Sequence, residues 1–156
     1  MINQALHTLD LLWWIFGMPK YVTAHTANDH LKGIIEVEDT TSALFETEDG
    51  KKFNFYATTS ASGDLPAQLQ AVLSDGRKVF ATNDILIVGQ DHIERNASTD
   101  MPIGKTVWGT GHRKLINDFY RHISDGKPFP ISGKEGAAVI RLILAIYRSK
   151  GERIEI

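Results

Sequence analysis

Thr40-Thr-Ser-Ala-Leu-Phe-Glu-Thr-Glu-Asp49-Gly50-Lys-Lys-Phe-Asn-Phe-Tyr-Ala-Thr-Thr59 carries the pattern on which the fold turns. Before Asp49-Gly50, Thr41, Ala43 and Phe45 alternate with their neighbours; after it, Phe53, Phe55, Ala57 and Thr59 do the same. A period of two in aromatic and β-branched residues marks strands with one face in a core. An Asp-Gly pair between such runs tolerates the positive φ that a tight hairpin turn needs. Outward from this hairpin, Tyr21/Thr23/His25 precede it, and Leu69/Ala71/Leu73 and Ile85/Ile87 follow, with Asp75-Gly76 and Asn83-Asp84 as further reversals. Residues 20 to 88 therefore read as an antiparallel meander.

Helical spacing takes over at both ends. Residues 3 to 16 place Ala5, Leu9, Leu12 and Phe16 on one line, with Leu6 and Trp13 beside it, and Gly17 and Pro19 supply the stop. A second helix carries the stripe Leu115, Ile116, Phe119, Tyr120 and Ile123 and closes at Gly126 and Pro128. A third runs from Ser132 to about Ser149, opened by Ser132 and Glu135 as a capping box. It is apolar nearly all round from Ala137 to Tyr147 apart from Arg141, so it is expected to be buried or in an interface. Gln90 to Gly111 reads as a long surface loop. Helices at the two ends of the chain cannot cover both faces of a large sheet, so one face must meet water or another subunit. The aromatics Trp13, Trp14 and Phe16, and the stripe Phe53/Phe55, read as core packing or an oligomer contact.

Composition bounds the function. The 156 residues are 42% hydrophobic and 23% charged, which describes an ordinary folded protein of one domain spanning residues 1–156. A net charge of -2 gives no electrostatic footprint for nucleic acid or an anionic membrane. No cysteine is present, so disulfides, thiolate nucleophiles and Cys-ligated metals are excluded. The apolar run within Leu9 to Met18 lacks the preceding positive charge and following cleavage site of a signal peptide, and it is too short to span a bilayer. Cytoplasm is the default expectation.

The chemistry concentrates on the first helix, where Asn3, His7 and Asp10 form one polar stripe. A carboxylate three residues after a histidine can hold one ring nitrogen and fix the tautomer, leaving the other nitrogen to act on a substrate. Asn3 adds an amide donor and acceptor. The same spacing also fits an Asn3 N-cap and an Asp10 that merely pairs with His7 in solvent, and spacing alone favours that arrangement. His112 opens the second helix, where a ring and exposed N–H groups could both touch a ligand. His25, His30, His92 and His122 read as surface residues. No His-x-His or HExxH spacing supports a metal site, which leaves a metal-dependent hydrolase built on His7 and Asp10 as a distant alternative. Gly109-Thr-Gly111-His-Arg-Lys114 has Lys where a dinucleotide fingerprint needs its third glycine, and Gly133-Lys134 is followed by Glu135 rather than Ser or Thr. No nucleotide cradle is encoded, so no cofactor is expected to be bound by this chain alone.

The opening Ile2-Asn-Gln-Ala-Leu-His-Thr-Leu-Asp-Leu-Leu12, the segment Gly33-Ile-Ile-Glu-Val-Glu-Asp-Thr-Thr41, and Trp108-Gly-Thr-Gly-His112 with Asp118-Phe-Tyr120 resemble the C-terminal domain of the Gfo/Idh/MocA oxidoreductases, in the right order across nearly the whole chain. The resemblance implies an α+β fold: an open, mostly antiparallel β-sheet with helices on one face and no Rossmann domain. It implies a domain that binds a sugar, inositol or similar polyol and mediates oligomerisation. In that family a separate Rossmann domain carries NAD or NADP and the Lys of a Glu-Lys-Pro motif, while the first helix of this domain supplies an Asp-x-x-x-His pair. His7 matches the His. Asn3 stands where the Asp belongs and cannot act as a carboxylate base; Glu-Lys-Pro is missing, since the only Lys-Pro is Lys127-Pro128.

The resemblance makes His7 the catalytic candidate, Asp10 its orienter, Asn3 a binding group, and Lys32 and His112 further substrate contacts. The expected function is the substrate-binding and oligomerisation domain of an NAD(P)-dependent sugar or inositol-type oxidoreductase, inactive without a Rossmann partner. The alternative is a free-standing, non-catalytic ligand-binding or scaffolding domain. Expected partners are a small polyol or sugar, further copies of the chain through the open sheet face, and a Rossmann domain.

Overall fold

The structure, a computed structural model, describes residues 5–63, 66–82, 85–94 and 111–156. Its helices are α1 (Leu6–Phe16), α2 (Gly111–Ser124) and α3 (Gly133–Ser149). Its strands are β1 (Tyr21–Ala27), β2 (Thr40–Glu46), β3 (Lys52–Thr58), β4 (Leu69–Val72), β5 (Lys78–Ala81), β6 (Ile85–Val88), β7 (Asp91–Glu94) and β8 (Arg153–Glu155). The fold is α+β and open. The strands expected between residues 20 and 88 form, but as two antiparallel sheets rather than one continuous meander: β3-β2-β1-β8 and β4-β5-β6-β7. They belong to two compact units, Met1–Asp64 with Ile131–Ile156, and Leu65–Pro130.

In the first unit, strict alternation decides which face is buried. Register pairs Val22 with Phe45 and Ala24 with Ala43 across β1 and β2, and Phe45 with Phe53 and Ala43 with Phe55 across β2 and β3. All six of these side chains are buried on one face, which α1 and α3 cover. Phe45 stacks on Phe53 and Phe53 on Phe16, with ring centroids 5.0 and 5.1 Å apart, so an aromatic column ties the sheet to the end of α1. On α3 the turns of Ala138, Leu142, Ala145 and Ser149, with Val139, Ile143 and Ile146, complete the core. Ser149 acts inside it as a connector, its Oγ accepting the Ala24 N–H at 2.8 Å. The expected capping box is present, Ser132 Oγ accepting from the Glu135 N–H and Glu135 accepting from the Ser132 N–H. Contrary to its all-round apolar sequence, α3 is buried on one side only; Ile140 and Leu144 face outward.

Neither α1 nor α3 covers the opposite sheet face. Its rows read Lys52, Glu46, Tyr21, Glu155; then Asn54, Leu44, Thr23, Arg153; then Tyr56, Ser42, His25. Strand β8 was not foreseen, because three residues show no period. It is held by the Arg153 guanidinium, which sits 3.6 Å over the Tyr21 ring and donates from Nε to Glu46 at 2.8 Å.

Between β1 and β2, Asp39 closes a loop on itself. Its carboxylate, 3% exposed, accepts the backbone N–H groups of His30 and Leu31, both at 2.8 Å, while Asn28 Nδ2 donates to the Ile35 carbonyl. The Leu31 N–H above all holds the Asp39 pKa below the ordinary carboxylate value, against the opposing effect of desolvation. A depressed folded-state pKa means stabilisation that is complete above the unfolded pKa of about 4 and is lost as pH falls through the lower folded value. Asp39→Asn is therefore expected to melt below the parent at neutral pH, with the gap closing as pH falls through the lowered folded-state value, as circular dichroism can follow. A gap that stays constant on acidification would contradict this role.

The second unit contains the sheet β4-β5-β6-β7 and α2. Strand β7 begins inside what the sequence presents as a loop from Gln90, since one strand of polar residues is indistinguishable from loop until β6 pairs with it. On α2 the apolar stripe is present as expected, and Phe119 and His122 both pack edge-on against Phe129.

Candidate active-site helix

The site is built on α1. One side of this helix is fixed by core packing, with Leu9 and Leu12 buried and Phe16 in the aromatic column. Its end is fixed by Gly17, whose φ of 82° is open to glycine and strained for other residues, and whose N–H donates to the Trp13 carbonyl. With both constraints set, the 3.6-residue period puts His7, Asp10 and Trp14 on the side opposite the core. His7 is exposed, Asp10 is half-buried and Trp14 is 78% exposed. Among the described residues no hydrogen bond or ion pair joins His7 to Asp10, so the structure holds the two on one face without locking the imidazole. The helix opens at Ala5, which offers no capping side chain. Asn3 lies outside the described residues.

The other sequence candidates are distributed. Lys32 is exposed near the tip of the Asp39-braced loop in the same unit, bridged in parallel to Ile35. His112 is exposed at the second position of α2, in the other unit. The segment 95–110, including Trp108, lies outside the described residues. The aromatics expected to pack divide: Phe16 and Trp13 are half-buried, Phe16 stacking on Phe53, and Trp14 projects into solvent.

One feature escaped the sequence reading. A groove of about 420 Å³ is lined by Thr26, Asn28, Glu36, Glu38 and Tyr147, among others. The Tyr147 hydroxyl donates to Glu38 at 2.7 Å; burial, reinforced by this bond, pushes its pKa up to about 12. It is thus a fixed donor and not a base. These residues lie 109 positions apart in sequence, beyond the reach of any local pattern.

Several structural facts limit the chemistry. Apart from the isolated Lys32–Ile35 bridge, every strand pairing among the described residues is antiparallel. A pyrophosphate cradle of the dinucleotide type needs a parallel strand–helix–strand crossover with a Gly-rich first turn. The described residues contain no such crossover. Among the described residues no group of three or more His, Asp or Glu is placed to hold a metal ion, and no helix is long and apolar enough to cross a membrane.

Open antiparallel sheets with helices α1 and α3 packed on one face of the first define an architecture of the α+β class. Residues 1–79 match the family model for the GFO/IDH/MocA C-terminal domain, and the chain belongs to that family. The WlbA dehydrogenase from Bordetella pertussis, solved with NADH and UDP-GlcNAcA, is similar at 26% identity and a TM-score of 0.62, covering 99% of this chain and 44% of its own. An oxidoreductase from Thermotoga maritima shares the fold at 19% identity and a TM-score of 0.76, covering 98% and 43%. Levoglucosan dehydrogenase, solved with NADH and levoglucosan, does so at 20% and 0.77, covering 99% and 49%. The chain thus spans less than half the length of these relatives. No curated protein matches the sequence.

Proposed function

We propose that this chain is the substrate-binding and oligomerisation domain of an NAD(P)-dependent oxidoreductase acting on a sugar, inositol or related polyol. It turns over only when a nucleotide-binding half is present. The observation that carries the reading is His7 displayed outward on the family's first helix, with Asp10 one turn along. In this reading His7 takes the proton of the substrate hydroxyl that is oxidised, an acid–base role worth about 10²–10⁴-fold in such sites. Asp10 and Asn3 bind and orient the hydroxyls, and Lys32 and His112 are further substrate contacts. NAD or NADP belongs to the other half. Relatives crystallised with NADH, and in two cases with a sugar-type ligand, support the substrate class. Dependence on a partner follows from proximity: positioned groups act at effective molarities of about 10⁵–10⁸ M, lost when one half is absent.

The test joins residues 1–156 to the remainder of the WlbA dehydrogenase chain, the portion this domain does not match, and follows sugar-dependent reduction of NAD. Activity in the joined protein and none in the lone chain supports the reading; no activity with any sugar or polyol, in a joined protein that binds NADH, contradicts it. The second reading, a non-catalytic ligand-binding or scaffolding domain, is favoured by Asn3 in the carboxylate position, and would show sugar binding with no turnover in any combination.

The sheet face that α1 and α3 leave uncovered is proposed as the contact between copies of the chain. It carries uncharged Thr23, Ser42, Asn54 and Leu44 at its centre and the exposed Tyr56 beside them. Light scattering is expected to give a dimer or larger assembly that Tyr56→Asp dissociates; a monomer at all concentrations would refute the contact. The protein is proposed to be cytoplasmic, which cell fractionation checks.

A further inference from the structure

We propose that the groove between the β1–β2 loop and α3 binds a small hydroxylated molecule carrying a primary ammonium group, held by Glu36, Glu38 and Asn28. The proposal is independent of the role given to His7. The loop is pinned where it leaves and rejoins the sheet: the Asp39 N–H donates to the Ala27 carbonyl at 2.9 Å, and the Asp39 carboxylate holds the His30 and Leu31 N–H groups. Asn28, the first residue past β1, is fixed from within the loop, its Nδ2 donating to the Ile35 carbonyl at 2.8 Å. That bond settles which way the amide points, because only its nitrogen can donate to a carbonyl. It leaves Asn28 Oδ1 shielded from solvent and without a donor. From α3, Tyr147 completes the lining, and its hydroxyl, donating to Glu38 at 2.7 Å, sets where that carboxylate stands.

A second observation points to the same place. Among the described residues, two buried side-chain atoms have no hydrogen-bond partner, Asn28 Oδ1 and Thr41 Oγ1. Asn28 lines the groove, and Thr41, only 1% exposed, is the cross-strand partner of Thr26, which lines it too. Paired residues project from the same face of a sheet, so the Thr41 hydroxyl is directed to the side on which Thr26 meets the groove. A buried polar atom without a partner is rare enough in a folded protein to call for a reason, and two at one groove share one. The chemistry of the guest follows from what is missing. Glu36, Glu38 and Asn28 Oδ1 accept, while the one proton of Tyr147 is already given to Glu38. The guest must therefore bring donors, and two carboxylates favour donors with a positive charge. No group of three or more His, Asp or Glu is placed to hold a metal ion among the described residues, which leaves an organic ammonium. Ala27 and Val37 offer apolar wall to its carbon skeleton, and about 420 Å³ suits a small molecule. Glu36 and Val37 are exposed, so a donor reaches Asn28 Oδ1 by shifting side chains at the rim and not the core.

Titration of the isotopically labelled 156-residue chain with glucosamine, and with glucose as its uncharged match in size, tests this by backbone amide chemical shifts. Glucosamine is expected to shift the amides of Asn28, Glu36, Val37 and Tyr147 saturably, with an affinity about tenfold or more above that of glucose. Glu36→Gln, at an exposed position, is expected to weaken glucosamine about tenfold with no change in melting temperature. Thr41→Val, which keeps the shape and removes the unmatched hydroxyl, should melt no lower than the parent and bind glucosamine several-fold more weakly. His7→Ala should leave these shifts as they are. Equal responses to the two sugars overturn the proposal, as do the absence of any saturable shift at the groove and a Glu36→Gln chain that binds glucosamine as the parent does. Shifts centred on α1 and lost in His7→Ala would overturn it as well, by placing the amine at the histidine.

Discussion

His7→Ala, introduced into residues 1–156 joined to a nucleotide-binding half, is expected to lower kcat for alcohol oxidation by about 10²–10⁴-fold with little change in melting temperature. Both parts follow from where His7 sits. It is exposed on α1 and contributes nothing to the core, so removing the ring leaves Leu9, Leu12 and Phe16 packed as before. An acid–base group engaged chiefly in the transition state lowers kcat and kcat/KM together, whereas a group that binds substrate and transition state equally raises KM alone. Asp10→Asn is therefore expected to act mainly on KM, because no hydrogen bond or ion pair couples it to the imidazole among the described residues. Steady-state kinetics separate the two, and a His7→Ala protein with undiminished kcat would reject the assignment.

Phe45→Ala is expected to cost about 3–5 kcal/mol, a large share of the roughly 5–15 kcal/mol that holds a domain folded. For a chain of this size the melting temperature should fall by about 10 °C or more. Phe45 is fully buried at the sheet end of the Phe45–Phe53–Phe16 column, so the loss combines transfer energy with a cavity beneath Phe53, the ring that stacks on α1. The helix that presents His7 is thus seated by the same rings that close the core. Molecules that remain folded are expected to show reduced turnover in the joined protein at low temperature, where unfolding does not confound the rate. Phe45→Leu, which keeps most of the volume, should recover much of both. A drop of less than about 2 °C for Phe45→Ala would show that the column does not carry this load.

Local pattern made part of this structure readable in advance, and tertiary pairing the rest. Alternation at 41–45 and 53–57, with Asp49-Gly50 between, specifies β2, β3 and their turn because a one-residue slip would expose every phenylalanine. The Ser132–Glu135 capping box is equally local, all its partners lying within one turn. By contrast, β8 exists because Arg153 meets Tyr21 and Glu46, more than a hundred residues away, and no window along the chain contains that fact. The division into two sheets is likewise a matter of which strands pair, which periodicity does not encode. At the candidate site the stripe of His7 and Asp10 follows from helical spacing alone. The exposure of Trp14 does not, since a tryptophan in an apolar helix reads as core until the packed side of that helix is known.

The titration of NADH into residues 1–156, alone and joined to the nucleotide-binding half, addresses the central claim most directly. The claim is that this chain handles the alcohol and not the coenzyme. The expected result is no saturable binding by the lone chain, and saturable binding with sugar-dependent reduction of NAD in the joined protein. Saturable binding of NADH by residues 1–156 alone would contradict it.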